Sequence, residues 1–363
     1  MKFIPQTWKR DRSKKKTHQS CRETMNATAV DNDTQAISPF SCPLLDRYRN
    51  ESRGSIDTVY IVNCGINGVF SCSAVAANAL IMVTILRTPS LRSPTFYFLF
   101  GLAVSDFGVG LLTQPLYIMY KAAGLYKTSN LNCAAGISFV LVSNQLSGVS
   151  FLTMTLVSMD RFLALYLHLR YKQLITLHRV KIALVCTWIL TAFANIAWIS
   201  SLKAYYLIAS TGFALFLITT LFTYITIFRT VRRHRQKITQ QGFAVSHLSL
   251  ARSQENSTQA NPSSKETANH EKSRDAAGYK KSVKNMFLVY FVFLLCVLPL
   301  MFVLLISSFL GRNTAVEIAF NFAMTLVFIN STMNPFLYCI LMRNLREEVW
   351  KTLVSMPRCL RRA

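Results

Sequence analysis

The chain has 363 residues, 52% of them apolar and only 15% charged, whereas a soluble chain of this length carries about a quarter charged residues. Its formal net charge of +24 comes without any basic run interleaved with aromatic residues, so nucleic acid is not an expected partner. The nine cysteines include no close-spaced CxxC pair, which argues against a zinc site.

Residues 1–57 are polar and begin with a basic cluster, Lys9 to Lys16, that has no apolar stretch behind it. A cleavable signal peptide needs such a stretch, so the segment reads as a disordered extracellular tail. It holds three Asn-x-Ser/Thr sequons, at Asn26, Asn32 and Asn50, compatible with glycosylation outside the cell.

Seven apolar runs follow, at 58–86, 94–120, 131–163, 180–201, 204–228, 284–308 and 314–341. Each approaches or exceeds the roughly 20 residues that cross a bilayer. The expected architecture is an all-α membrane protein: a seven-transmembrane helix bundle over 58–341, with a long inner loop at 229–283. A cytoplasmic amphipathic helix and tail complete it at 342–363. With the N-terminus outside, the inner segments hold 25 Lys and Arg, and the outer loops hold only Lys121, Lys127, Lys203 and Arg312. That asymmetry places the C-terminus in the cytoplasm.

Ionisable groups within spans are expensive, and Asp106 is the one charge expected at mid-span. Asn78, Ser150, Asn330, Ser331 and Asn334 are polar groups stranded in neighbouring apolar runs, placed to satisfy Asp106 if they converge. At the end of the third run, Asp160 and Arg161 stand side by side.

"SMDRFLALY", "LAVSD", "NPFLY" and the lone Trp188 of the fourth run, in this order, resemble class A (rhodopsin-like) G-protein-coupled receptors. The resemblance covers residues 58–355 and implies a bundle that binds an extracellular ligand and signals to a heterotrimeric G protein. It implies that Asp160 holds Arg161 until activation. Tyr338, beyond the Asn334-Pro335 kink, and Tyr224 are then the partners toward which Arg161 moves; by residue type alone Tyr224 is equally an interfacial aromatic. Asp106, Ser150, Asn330, Ser331 and Asn334 match the family's sodium pocket, although a hydrated polar network remains the alternative. No other cofactor is expected. "RNLREEVWKTL" reads as the amphipathic helix on the inner leaflet, with Cys359 either palmitoylated or a free cytosolic thiol.

The chain departs from the family in several places. The loop between the fourth and fifth runs is short and lacks cysteine, so the usual clamp to the third helix cannot form; if oxidised, Cys133 needs a partner such as Cys42 or Cys64. Phe216 replaces the fifth-helix proline, which resembles the melanocortin branch and related lipid and nucleoside receptors. Val297 replaces the toggle tryptophan, leaving Pro299 for the kink and Phe151 and Phe293 as transmission residues. Tyr279 replaces the acid that pairs with the arginine in many relatives, which implies raised basal signalling and an orphan-like receptor. Candidate ligand contacts are Gln114, Ser143, Asn144, Val297, Leu300, Met301, Leu304, Met324 and Phe328. With Ser143 where amine receptors carry an aspartate, this set favours a small neutral or lipid-like ligand. Leu116 and Gly136 stand near where melanocortin receptors carry acids.

The competing reading is a seven-span transporter or channel, but no internal repeat or line of ionisable residues supports one. An enzyme is not expected, because all six histidines fall in tails or inner loops.

Overall fold

The computed structural model describes residues 55–201 (except 127, 168 and 169), much of 205–236, and 288–307, 309 and 313–360. The sequons, Tyr224 and Tyr279 lie outside the described residues, as does the side chain of Cys359. The described residues are helical and include no strand. They form α1 (Ser55–Arg87), α2 (Pro94–Leu125), α3 (Ser129–Leu167), α4 (Leu177–Ser200), α5 (Ser210–Thr223), α6 (Leu288–Ser307), α7 (Thr314–Leu341) and α8 (Arg343–Leu360). Six of them, α1 to α4, α6 and α7, are long and apolar enough to cross a membrane. The chain is therefore a multi-pass membrane protein.

Two of these helices begin on side chains that accept their first free amides: Asn313 Oδ1 takes Val316 N–H at 2.9 Å, and Thr176 Oγ1 takes Arg179 N–H. Within the spans, polar side chains turn back onto their own helix. Asn67 donates to Asn63 O and Asn78 donates to Ala74 O. Hydrocarbon offers no partner, so satisfaction must be internal.

Proline shapes α2. Pro115 has no N–H, and its ring would strike the carbonyl four residues back. The helix widens just before it into a π turn, Val109–Thr113, closed by Gln114 N–H on Val109 O. The wide turn lays Gly110 directly on α1, where Ser71 Oγ donates to Gly110 O at 2.7 Å. A β-carbon at Gly110 would meet Ala74 Cβ at 2.9 Å and Ser71 O at 3.0 Å, so glycine is required here by the closeness of approach.

Helix α1 packs on α2 and α7, while α3 packs on α2 and α4. One apolar cluster joins Ile81, Leu99, Met154, Phe216, Phe293, Val297 and Tyr338 toward the Asp160 end. A second, with Val109, Tyr117, Phe139, Leu146, Met324 and Phe328, lies toward the other end. Helix α7 runs unbroken through Pro335. Only Met342 separates it from α8, whose Leu345 and Val349 are buried in the first cluster.

Candidate functional site

Polar side chains gather at three depths of the bundle. At one end, Asp160 is buried and bonded on both carboxylate oxygens. Tyr171, in a one-turn helix Tyr171–Leu174, donates to Oδ1 at 2.5 Å. Thr95 of α2 donates to Oδ2 at 3.1 Å. Arg161 Nε donates to the same oxygen at 3.0 Å, and its Nη2 also reaches Asp160 and Thr95. Arg161 keeps 23% of its side chain exposed while Asp160 keeps none. The arginine is therefore the half of the pair that faces out of the bundle. Burial, followed by the hydrogen bond to Asp160 and its charge, pushes the Tyr171 hydroxyl up to about 12, so it stays a donor at neutral pH. A short way into the bundle, Tyr290 of α6 donates to the Met154 carbonyl of α3 at 2.8 Å.

At mid-depth, Asp106 is fully buried. Asn334 Nδ2 donates to its Oδ2 at 2.7 Å and Ser150 Oγ to its Oδ1 at 3.2 Å. Ser150 is also bonded to Ser105 Oγ at 2.8 Å. Asn78 ties α1 to α7 through Ser331 O at 3.0 Å. The Oδ1 atoms of Asn330 and Asn334 and the hydroxyl of Tyr338 are buried without a hydrogen-bond partner. Phe151, Phe216 and Phe293 pack together between this layer and the Asp160 end, with ring centres 4.6 to 6.1 Å apart.

At the opposite end, Lys121 of α2 and Glu317 of α7 are both buried, with Nζ 3.5 Å from Oε1. Asn63, Asn67, Asn321 and Thr325 continue this polar layer between α1 and α7 through bonds of 2.7 to 3.0 Å.

The profile of the 7 transmembrane receptor (rhodopsin family) matches residues 77–204 and 195–338. The chain belongs to this family. Among its relatives, octopamine receptor beta-2R of Drosophila melanogaster is 24% identical over 321 residues, which is 78% of this chain and 59% of that protein. Adenosine receptor A3 of Canis lupus familiaris is 25% identical over 303 residues, 76% of this chain and 85% of the relative. Adenosine receptor A2b of Rattus norvegicus reaches 34% identity over 134 residues, 37% of this chain and 38% of the relative. The chain thus spans about three-fifths of the octopamine receptors' length.

Against the rhodopsin-family expectations, Asp106, Ser150, Ser331 and Asn334 converge, all three partners bonding the carboxylate, and Asn78 meets Ser331 beside them. Asn330 buries its oxygen without bonding to Asp106. Four expectations need correcting. Gln114 does not join Ser143 and Asn144; its Nε2 turns to Asn67 Oδ1 of α1 at 3.4 Å. Asn144 is engaged instead by Tyr205, whose hydroxyl donates to Oδ1 at 3.0 Å. The other ligand candidates divide between the two apolar clusters: Leu300, Met324 and Phe328 share one, Val297 and Met301 the other, and Leu304 is half-buried. Lys121, expected in an outer loop, lies inside α2 near its end and faces Glu317, while Asp106 stays the charge at mid-depth. Cys133 is disulfide-bonded while Cys64 is a free thiol, which removes Cys64 as its partner. Pro335 bends no break into α7, so the expected hinge is a missing amide rather than an interruption. Thr95, Tyr171 and Tyr290 carry no signal in the sequence, since each joins the site only through a tertiary contact.

Proposed function

We propose that this rhodopsin-family chain is a plasma-membrane receptor, with its N-terminus outside and C-terminus in the cytoplasm, that signals to a heterotrimeric G protein. The observation that carries the reading is the arrangement at the Asp160 end. Arg161 is held on Asp160 and Thr95 at the mouth of the bundle, while the buried Tyr338 hydroxyl has no partner. An orphaned hydroxyl costs about 1–3 kcal/mol, and that cost is relieved in any arrangement that offers it a donor or acceptor. On this reading, release of Arg161 toward Tyr338 supplies one and defines a second state of the bundle. The energetic difference between them is what an extracellular ligand biases.

The relatives named for octopamine and adenosine support a small-molecule ligand, and Ser143, Asn144, Leu300, Met324 and Phe328 are proposed as its contacts. Asp106 together with the unpartnered Asn330 oxygen and the Ser150 hydroxyl suits a sodium ion, which would supply positive charge to a buried carboxylate and favour the resting state. The reading predicts no catalytic activity.

The test is second-messenger output in cells expressing wild type or Arg161→Ala at matched surface density, screened against small neutral compounds and lipids. Loss of all response in the variant supports the reading; equal coupling by variant and parent sinks it. For sodium, agonist affinity is measured with and without the ion. An Asp106→Asn receptor that keeps the sodium effect removes that part.

A further inference from the structure

The Lys121 end contains a recognition chemistry that the receptor reading does not use. Lys121 Nζ lies 4.2 Å from the ring centre of Tyr60, 5.1 Å from that of Tyr120 and 5.7 Å from that of Tyr117. All three distances fall within the roughly 6 Å over which an aromatic face attracts a cation. Glu317 Oε1 lies 3.5 Å from the same nitrogen. The surroundings are braced independently of the lysine. Tyr60 OH donates to Glu317 Oε1 at 3.3 Å and Asn321 Nδ2 donates to it at 3.2 Å. Tyr117 OH donates to Asn321 Oδ1 at 2.8 Å. Rings from α1 and α2 and a carboxylate from α7 thus converge on one ammonium, with Lys121 only 5% exposed and Glu317 7%.

Aromatic faces closed by a carboxylate are the chemistry by which proteins recognise a free organic ammonium. The cage is made of short, cross-bonded groups, whereas its occupant is the tip of a flexible four-carbon stem near the end of α2, which terminates at Leu125. We propose that this cage is an ammonium-binding site at the outer ends of α1, α2 and α7, filled from within by Lys121 and open to a small organic ammonium when Lys121 swings out. The outer placement rests on the receptor orientation proposed above. Ser143, whose lack of charge argues against a cationic ligand at α3, has no bearing here, because the counter-ion is Glu317. A tethered competitor acts at an effective concentration in the millimolar range, so an added amine competes poorly with Lys121 and readily once the lysine is truncated.

The experiment uses the full-length receptor in detergent, with ethylammonium and tetramethylammonium chlorides as probes and sodium chloride at matched ionic strength as control. Lys121→Ala should melt at a lower temperature than wild type and recover on adding about 10 mM of either amine, whereas wild type should need at least about tenfold more. Lys121→Arg, which keeps a cation in the cage, should ignore the amines. The double variant Lys121→Ala, Glu317→Gln should lose the rescue. Should Lys121→Ala fail to accumulate, Lys121→Val, which fills part of the stem's volume but leaves the cage empty, carries the same titration. Equal stabilisation by sodium and amine, or rescue that persists without the Glu317 carboxylate, overturns the proposal. The melting shift needs no G protein, so a failure of the signalling reading would leave it standing.

Discussion

Removing the Tyr290 hydroxyl tests the polar contact between α6 and α3 near the Asp160 end. In Tyr290→Phe the ring stays in its buried place, while the 2.8 Å bond from α6 to the Met154 carbonyl of α3 disappears. That carbonyl is not stranded, since Ser158 Oγ also donates to it at 3.3 Å. The loss is therefore of the order of one buried neutral hydrogen bond, about 0.5–1.5 kcal/mol, with Ser158 beside the hydroxyl sharing in it. If the bond exists only in the arrangement described here, the ratio of open to closed receptor rises roughly two- to tenfold. The check is ligand-free second-messenger output per receptor at the cell surface, measured beside the melting temperature. Thr155→Val, which removes a bond within α3, serves as the control and should leave basal output within about twofold. A variant that melts earlier yet signals no more than wild type refutes the argument, because the bond would then hold the fold and not the state.

Tyr338→Phe removes a buried, unpartnered hydroxyl; it should raise thermal stability by up to about 1–3 kcal/mol while lowering agonist response, and a less stable variant contradicts the orphan argument. Gly110→Ala should cost several kcal/mol, about the upper range for overpacking, because Ser71 O at 3.0 Å is backbone and cannot step aside; normal yield and melting temperature would refute it. The Tyr171 hydroxyl has its folded value raised above the ordinary 10 to about 12. Its contribution is therefore complete below pH 10 and is lost as pH rises toward 12. Tyr171→Phe should weaken the hold on Asp160 by the same factor at pH 6 and at pH 9, read as basal output or melting temperature, and a difference confined to one end of that range contradicts the assignment.

Much of this architecture is legible from residue type and position. Asp106, Ser150 and Asn334 stand out because hydrocarbon tolerates few polar groups, and the same scarcity draws them together. Asp160 and Arg161 are conspicuous for an equivalent reason. Thr95, Tyr171 and Tyr290 are not, because threonine and tyrosine are ordinary near a membrane boundary and their partners lie 11 to 136 residues away. Lys121 and Glu317 are separated by 196 residues, and alone the first reads as a loop charge and the second as a charge at the end of its apolar run. Gln114 is misplaced by simple helical counting. The π turn just before it holds one residue more than an α turn, which rotates everything beyond by about 100° and turns this side chain from the middle of the bundle onto α1.

Helix α8 leaves Trp350 68% exposed on one flank while Leu345 on the other is wholly buried under α7. With a single residue joining it to the helix that carries Tyr338, any rocking of that tyrosine is passed to α8 as by a short crank. The indole would then sink or rise against the surrounding acyl chains, and its emission would change colour. With the chain's other three tryptophans replaced, that emission would gauge the shape of the molecule in vesicles without a dye being attached.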